Sequence, residues 1–98
     1  MLTHIVIWKY REEVSESERH EHVTRLRSLV GIIPEIESFS VGFDVLHLER
    51  SYDTGLVSTF RDREALSRYT DHPEHQKVAA LGRALSAHIA SVDFEDEA

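Results

Sequence analysis

The chain of 98 residues has no cysteine. Disulfides, thiolate nucleophiles and cysteine metal ligands are thereby excluded, a composition that fits a reducing cytoplasm. Basic residues are scarce: 11 Lys and Arg stand against 18 Asp and Glu, for a formal net charge of −7. Nucleic acid and anionic membranes both require a basic surface, so neither is expected as a partner. No apolar run approaches the roughly 18 residues that would span a bilayer. The opening MLTHIVIWKY places its basic residue after the apolar run, the reverse of a signal peptide. There is no Gly-rich phosphate loop, nucleophile elbow, repeat or low-complexity segment, so phosphoryl transfer, dinucleotide redox and covalent acyl chemistry lack support.

What is present is an ordinary globular composition, 41% hydrophobic and 30% charged, for one domain over residues 1–95 with a short acidic tail at 96–98. Leu2 to Tyr10 alternates as a strand, with Leu2, His4, Val6, Trp8 and Tyr10 on one side and Thr3, Ile5, Ile7 and Lys9 on the other. Both sides are largely apolar, which predicts burial on both. Ser15-Glu16-Ser17-Glu18 has a capping-box pattern and opens a helix to about Ile32, whose apolar face holds Val23, Leu26, Val30 and Ile33, with His22 on the same face. Strands are expected over residues 37–45, with Phe39, Val41, Phe43 and Val45 on one side, and over Tyr52 to Phe60. Asp62 caps a short helix to about Tyr69, Pro73 opens another to about Ser86 with Val78, Leu81 and Leu85 as its stripe, and Ile89 to Phe94 closes as a strand.

With the last two helices taken as one helix broken at His72-Pro73, the order is β-α-β-β-α-β, the ferredoxin-like α+β plan with a four-stranded antiparallel sheet. Helices cover one sheet face. The other carries Ile5 and Ile7 and is expected to meet the same face of a second copy, giving a homodimeric α+β barrel.

The ordered set of motifs resembles the stress-responsive α/β-barrel (Dabb) domain family. His4-Ile5-Val6-Ile7-Trp8-Lys9-Tyr10 is similar to its opening strand. Ile33-Pro34 with Val41-Gly42 is similar to its second element, and Tyr52-Asp53 with Leu56-Val57-Ser58-Thr59-Phe60 to its third strand. Tyr69-x-x-His72-Pro73-x-His75 resembles its strongest signature, and Val92-Asp93-Phe94 its closing strand. The resemblance implies a ferredoxin-like protomer in a dimeric barrel, in a family where most members have no assigned reaction and some look like stress-associated stable proteins. One plant member is a cofactor-free polyketide cyclase that runs an intramolecular aldol condensation with a Tyr and a His of this signature. Those roles would fall on Tyr69 and His75. That cyclase also has a tyrosine on its first helix where this chain has Leu26, so its own substrate and reaction are not carried over.

The residues themselves admit two readings each. His75, near the start of a helix and bordering the Val78 arc, is either a neutral imidazole able to accept a proton or a structural histidine bonded to backbone. Tyr69 is either a hydrogen-bond donor to a substrate carbonyl or a core aromatic. Asp71 and His72 read mainly as junction residues. His4, Val6, Trp8, His22, Leu26 and His72 are candidates for the wall of a pocket around Tyr69 and His75. Were His4, His22 and His75 to converge, three imidazoles would suit zinc; their spacing matches no metal motif, so neither a metal nor a cofactor is expected. Function divides accordingly. The chain is a small stable homodimer with a hydrophobic ligand pocket, a cyclase-like or lyase-like catalyst acting on an apolar carbonyl compound, or a monooxygenase of the antibiotic-biosynthesis type, which only the fold suggests.

Overall fold

A computed structural model describes residues 1–96, so Asp96 alone of the expected tail is described and the rest lies outside. The order is β1 (Leu2–Tyr10), α1 (Glu16–Ser28), a 3₁₀ turn (Leu29–Gly31), β2 (Ser38–Phe43), β3 (Thr54–Phe60), α2 (Arg63–Asp71), α3 (Pro73–Leu85) and β4 (Ser86–Glu95). The strands form one antiparallel sheet in the order β2-β3-β1-β4. This is the ferredoxin-like fold, with the second helix broken as the sequence indicates. Among the described residues no helix is long and apolar enough to cross a membrane.

The helix ends follow local chemistry. Ser15 and Glu18 form the capping box, with the Glu18 amide donating to Ser15 Oγ at 3.2 Å and the Ser15 amide to Glu18 Oε1 at 3.0 Å. Asp62 accepts from the Ala65 amide at 2.9 Å and starts α2. His72 holds the extended conformation that a following proline demands, and its Nδ1 accepts from the Glu74 amide at 3.1 Å to cap α3.

Several boundaries move, each for a physical reason. The first helix turns 3₁₀ at Leu29, adding about 20° per residue over the α-helical rotation. Leu29 is therefore buried and Val30 faces outward. Val45 lies beyond β2 and is 82% exposed, in a loop closed where the Asp44 amide donates to the Asp53 carbonyl at 2.8 Å. Asp53 belongs to that closure, with its carboxylate accepting from the Tyr10 amide, so β3 begins at Thr54. β4 starts directly at Ser86, because pairing with Lys9 and Tyr10 extends a segment whose own strand propensity is low.

The register assigns every strand residue to a face. Opposite Leu2, His4, Val6 and Trp8 on β1 stand Phe60, Ser58, Leu56 and Thr54 on β3, and Glu95, Asp93, Ser91 and Ile89 on β4. This face meets the helices. Trp8, Tyr10, Leu56 and Phe60 pack there with Val23, Leu26 and Leu29 of the first helix and with Tyr69, Val78 and Leu85. The opposite face carries Ile5, Ile7, Val57, Val92 and Phe94 with no helix over it. Val57 is 47% exposed and Val92 52% in the single chain.

Candidate functional site

A cavity of about 300 Å³ lies between α3 and the β1–β4 side of the sheet. That is the space of about ten water molecules and the lower end of the range for small-ligand sites. Val6, Trp8, Leu26, Leu56, Val78 and Ile89 give it an apolar wall, and His4, Tyr69, Thr70, His75, Arg83 and Ser91 bring polar groups. The helix break at His72-Pro73 creates this mixture. It turns the chain so that the last turn of α2 and the first turn of α3 both face the cavity, placing the Tyr69 and His75 rings 4.3 Å apart between centroids.

His75 Nδ1 lies 3.0 Å from the Thr70 carbonyl oxygen. A carbonyl only accepts, so Nδ1 carries the proton and Nε2 keeps its lone pair in the neutral ring. Burial holds the His75 pKa below the usual imidazole value; the Thr70 carbonyl opposes this, and the electrostatic influence of His4, Arg83 and His72 adds to it. The main cause is thus burial, beyond the helix-end charge that position in sequence suggests. Tyr69 is 1% exposed, packs on Phe60 at 4.9 Å and donates no hydrogen bond within the described residues. Burial pushes its phenol pKa up, so it stays protonated and is a donor. A half-buried neutral acceptor and a buried phenolic donor thus meet at an apolar cavity.

His4 stands beside them, 6.1 Å from the Tyr69 ring, and its Nδ1 contacts the carboxylate of Asp93, its cross-strand neighbour on β4. The carboxylate fixes Nδ1 as the protonated nitrogen, leaving Nε2 as an acceptor.

Two residues expected on the wall lie elsewhere. His22 is fully buried one layer behind Trp8, whose ring it meets edge-on at 5.0 Å. Its Nδ1 is 2.7 Å from the Tyr10 hydroxyl, which also lies 2.9 Å from Thr54 Oγ1, while Nε2 has no partner. Burial pushes its pKa down to about 4. The helical phase of the first helix points it inward, but the bulk of Trp8 separates it from the cavity. His72 turns its ring into the α2–α3 junction as a cap. His4, His22 and His75 therefore do not converge, and among the described residues no group of three His, Asp or Glu side chains could hold a metal.

Sequence reasoning missed Asp93, Arg83 and Thr70. Asp93 was legible in principle from the register of the two terminal strands. Arg83 was legible as the second step of the row His75, Ala79, Arg83 at four-residue spacing along α3. Thr70 contributes only its carbonyl, which leaves no signature.

The chain belongs to the stress responsive A/B barrel domain family, whose model matches residues 2–96. It is 29% identical over 97 residues to an uncharacterized protein of Streptomyces coelicolor, covering 97% of this chain and 99% of that one. It is 30% identical over 93 residues to olivetolic acid cyclase of Cannabis sativa, covering 93% and 92% respectively. Among solved structures, a dimeric ferredoxin-like protein of unknown function from Thermobifida fusca superposes with a TM-score of 0.89 at 24% identity, covering 97% and 90%. Hydroxynitrile lyase from Passiflora edulis superposes with a TM-score of 0.88 at 18% identity, covering 99% and 94%. The family thus contains members without an assigned activity beside a cyclase, and the fold is shared with a lyase.

Proposed function

We propose that this member of the stress responsive A/B barrel domain family is a cofactor-independent acid/base catalyst acting on a small apolar carbonyl compound. The reading rests above all on the contact between Tyr69 and His75 at the cavity. His75 Nε2 takes a proton from the carbon beside the substrate carbonyl and becomes imidazolium. The electron pair moves to the carbonyl oxygen, and the Tyr69 hydroxyl donates to the developing enolate. The enolate carbon then attacks a second carbonyl, as in an aldol closure, and the imidazolium of His75 returns its proton to the new alkoxide. Leu26 makes the wall apolar where the plant cyclase carries a tyrosine, so the substrate here has one polar contact fewer on that side.

The α-proton exchange of 2-nonanone in D₂O, followed by NMR, tests this without knowledge of the natural substrate. Wild type is expected to accelerate exchange, and His75→Ala and Tyr69→Phe each to lower that acceleration by roughly a hundredfold. Wild type without acceleration, or variants equal to wild type, would contradict the reading. The Asp93–His4 pair supports a second reading in which His4 Nε2 is the base. Loss of exchange in His4→Ala together with retention in His75→Ala would favour it.

The catalyst is further proposed to be a homodimer that joins open sheet faces, which the uncovered Ile5, Ile7, Val57, Val92 and Phe94 support, as does the dimeric state ascribed to the Thermobifida neighbour. A cytoplasmic location accords with the absence of cysteine.

A further inference from the structure

Arginines at 11, 19, 63 and 68 meet carboxylates, and Arg27 donates to the Val41 carbonyl. Arg25, Arg50, Arg61 and Arg83 meet no carboxylate among the described residues, although the chain carries a net charge of −7, and of these four only Arg83 is at this cavity. His75, Ala79 and Arg83 form one row along α3, so the two ends of that row are about 12 Å apart along the helix axis. The small Ala79 between them leaves the row's middle open. The register fixes the direction: Tyr69 and His75 lie near His4, whereas Arg83 follows Gly82, which packs against Trp8, the partner of Ile89. The cavity thus joins Tyr69 and His75, the Arg83 guanidinium and an apolar wall of Val6, Trp8, Leu56 and Val78.

We infer that the ligand of this cavity is an apolar anion, a carboxylic acid in its simplest form, whose charged group pairs with Arg83 while its apolar body lies against Val6, Trp8, Leu56 and Val78. Arginine suits a carboxylate because its planar fork donates two parallel hydrogen bonds. In an acidic protein a local unpaired cation is also what allows an anion to be held at all. The inference rests on the reading of the cavity as a ligand site and adds the charge of the ligand.

Trp8 is the single tryptophan and lines the cavity, so its fluorescence reports occupancy directly. Octanoate and 2-nonanone have the same number of non-hydrogen atoms and differ in charge, and both are titrated into the homodimer of wild type and of Arg83→Gln. Arg83 is exposed, so the substitution leaves the core untouched. The expected result is that Arg83→Gln weakens octanoate by about tenfold, the usual scale of a lost charge-assisted hydrogen bond, while 2-nonanone binds both proteins alike. Wild-type affinity for octanoate should also fall as salt is raised. If the ketone binds and the two proteins hold octanoate equally, or the variant weakens both ligands to the same degree, the anion assignment is overturned and the cavity stands. If neither ligand changes Trp8 fluorescence, the cavity reading and the anion assignment fail together.

Discussion

The two faces of the sheet are built from the same strands and do opposite things. On the helix face, strand residues alternate between large apolar groups and polar ones with defined partners: Trp8 and Phe60 beside His4, Thr54 and Ser58. On the open face, Val57 and Val92 are exposed, with Ile5 and Ile7 half-buried between them. Glycine makes the contrast sharp. A Cβ on Gly82 of α3 would fall 2.9 Å from Trp8 Nε1 and 3.1 Å from His22 Nε2, so the helix face is closed to an added atom at that position. A Cβ on Gly55 of the open face would meet only Ile7, at 3.9 Å, and one on Gly42, its pairing partner, would meet nothing. The first face is finished within one chain and holds the cavity. The second is unfinished until another surface covers it. The proposed chemistry and the proposed assembly are thus separated by the thickness of one sheet.

The largest effect expected is on assembly. Val57→Lys places a charge in the middle of the open face, and burying it unpaired in a dimer costs several kcal/mol. Sedimentation should then show the 11.3 kDa protomer where wild type shows twice that mass. Octanoate affinity should stay within about twofold, since distant sites act independently. A wild type that sediments as a protomer, or loss of binding in the variant, would break the separation of the faces.

Next in size is the acid response of the helix face. The His22 pKa is held near 4 in the folded chain and returns to the ordinary imidazole value, 6.5, on unfolding. The unfolded state therefore binds the proton first. Stability is full above about pH 6.5, is lost as the pH falls towards 4, and changes no further through this group below that, for a total of about 3 kcal/mol. Urea unfolding of wild type and His22→Gln at fixed protein concentration should show the stability difference between them shrink over this window. A difference independent of pH would contradict the burial of a neutral His22.

Gly82→Ala should cost about 1–3 kcal/mol, because the indole has to move in a packed core. It should also alter Trp8 fluorescence. Smallest of all, Gly55→Ala should leave both Trp8 fluorescence and octanoate binding unchanged, with any effect confined to dimer dissociation. Equal responses of the two glycine variants would erase the contrast between the faces.

Much of this was legible in the residues. Strand parity separated His4, Val6 and Trp8 from Ile5 and Ile7, and Pro73 after His72 marked the break that brings Tyr69 to His75. What escaped depended on quantities that no local pattern encodes. The 3₁₀ turn at Leu29 rotates Val30 outward, contrary to its α-helical phase. The ring of Trp8 screens His22 from the cavity, although both share the expected side. Asp93 meets His4 only through the pairing of the first and last strands, and that register is set by the whole fold rather than by either segment.

The proposed catalysis depends most directly on the state of one imidazole, which long-range ¹⁵N–¹H correlation of the histidine rings across a pH titration reads without any ligand. His75 should show the proton on Nδ1, held by the Thr70 carbonyl, and a pKa below the ordinary 6.5. A proton on Nε2 would show that His75 presents no free acceptor to the cavity and would contradict its role as the base, whereas an ordinary pKa would contradict only its burial.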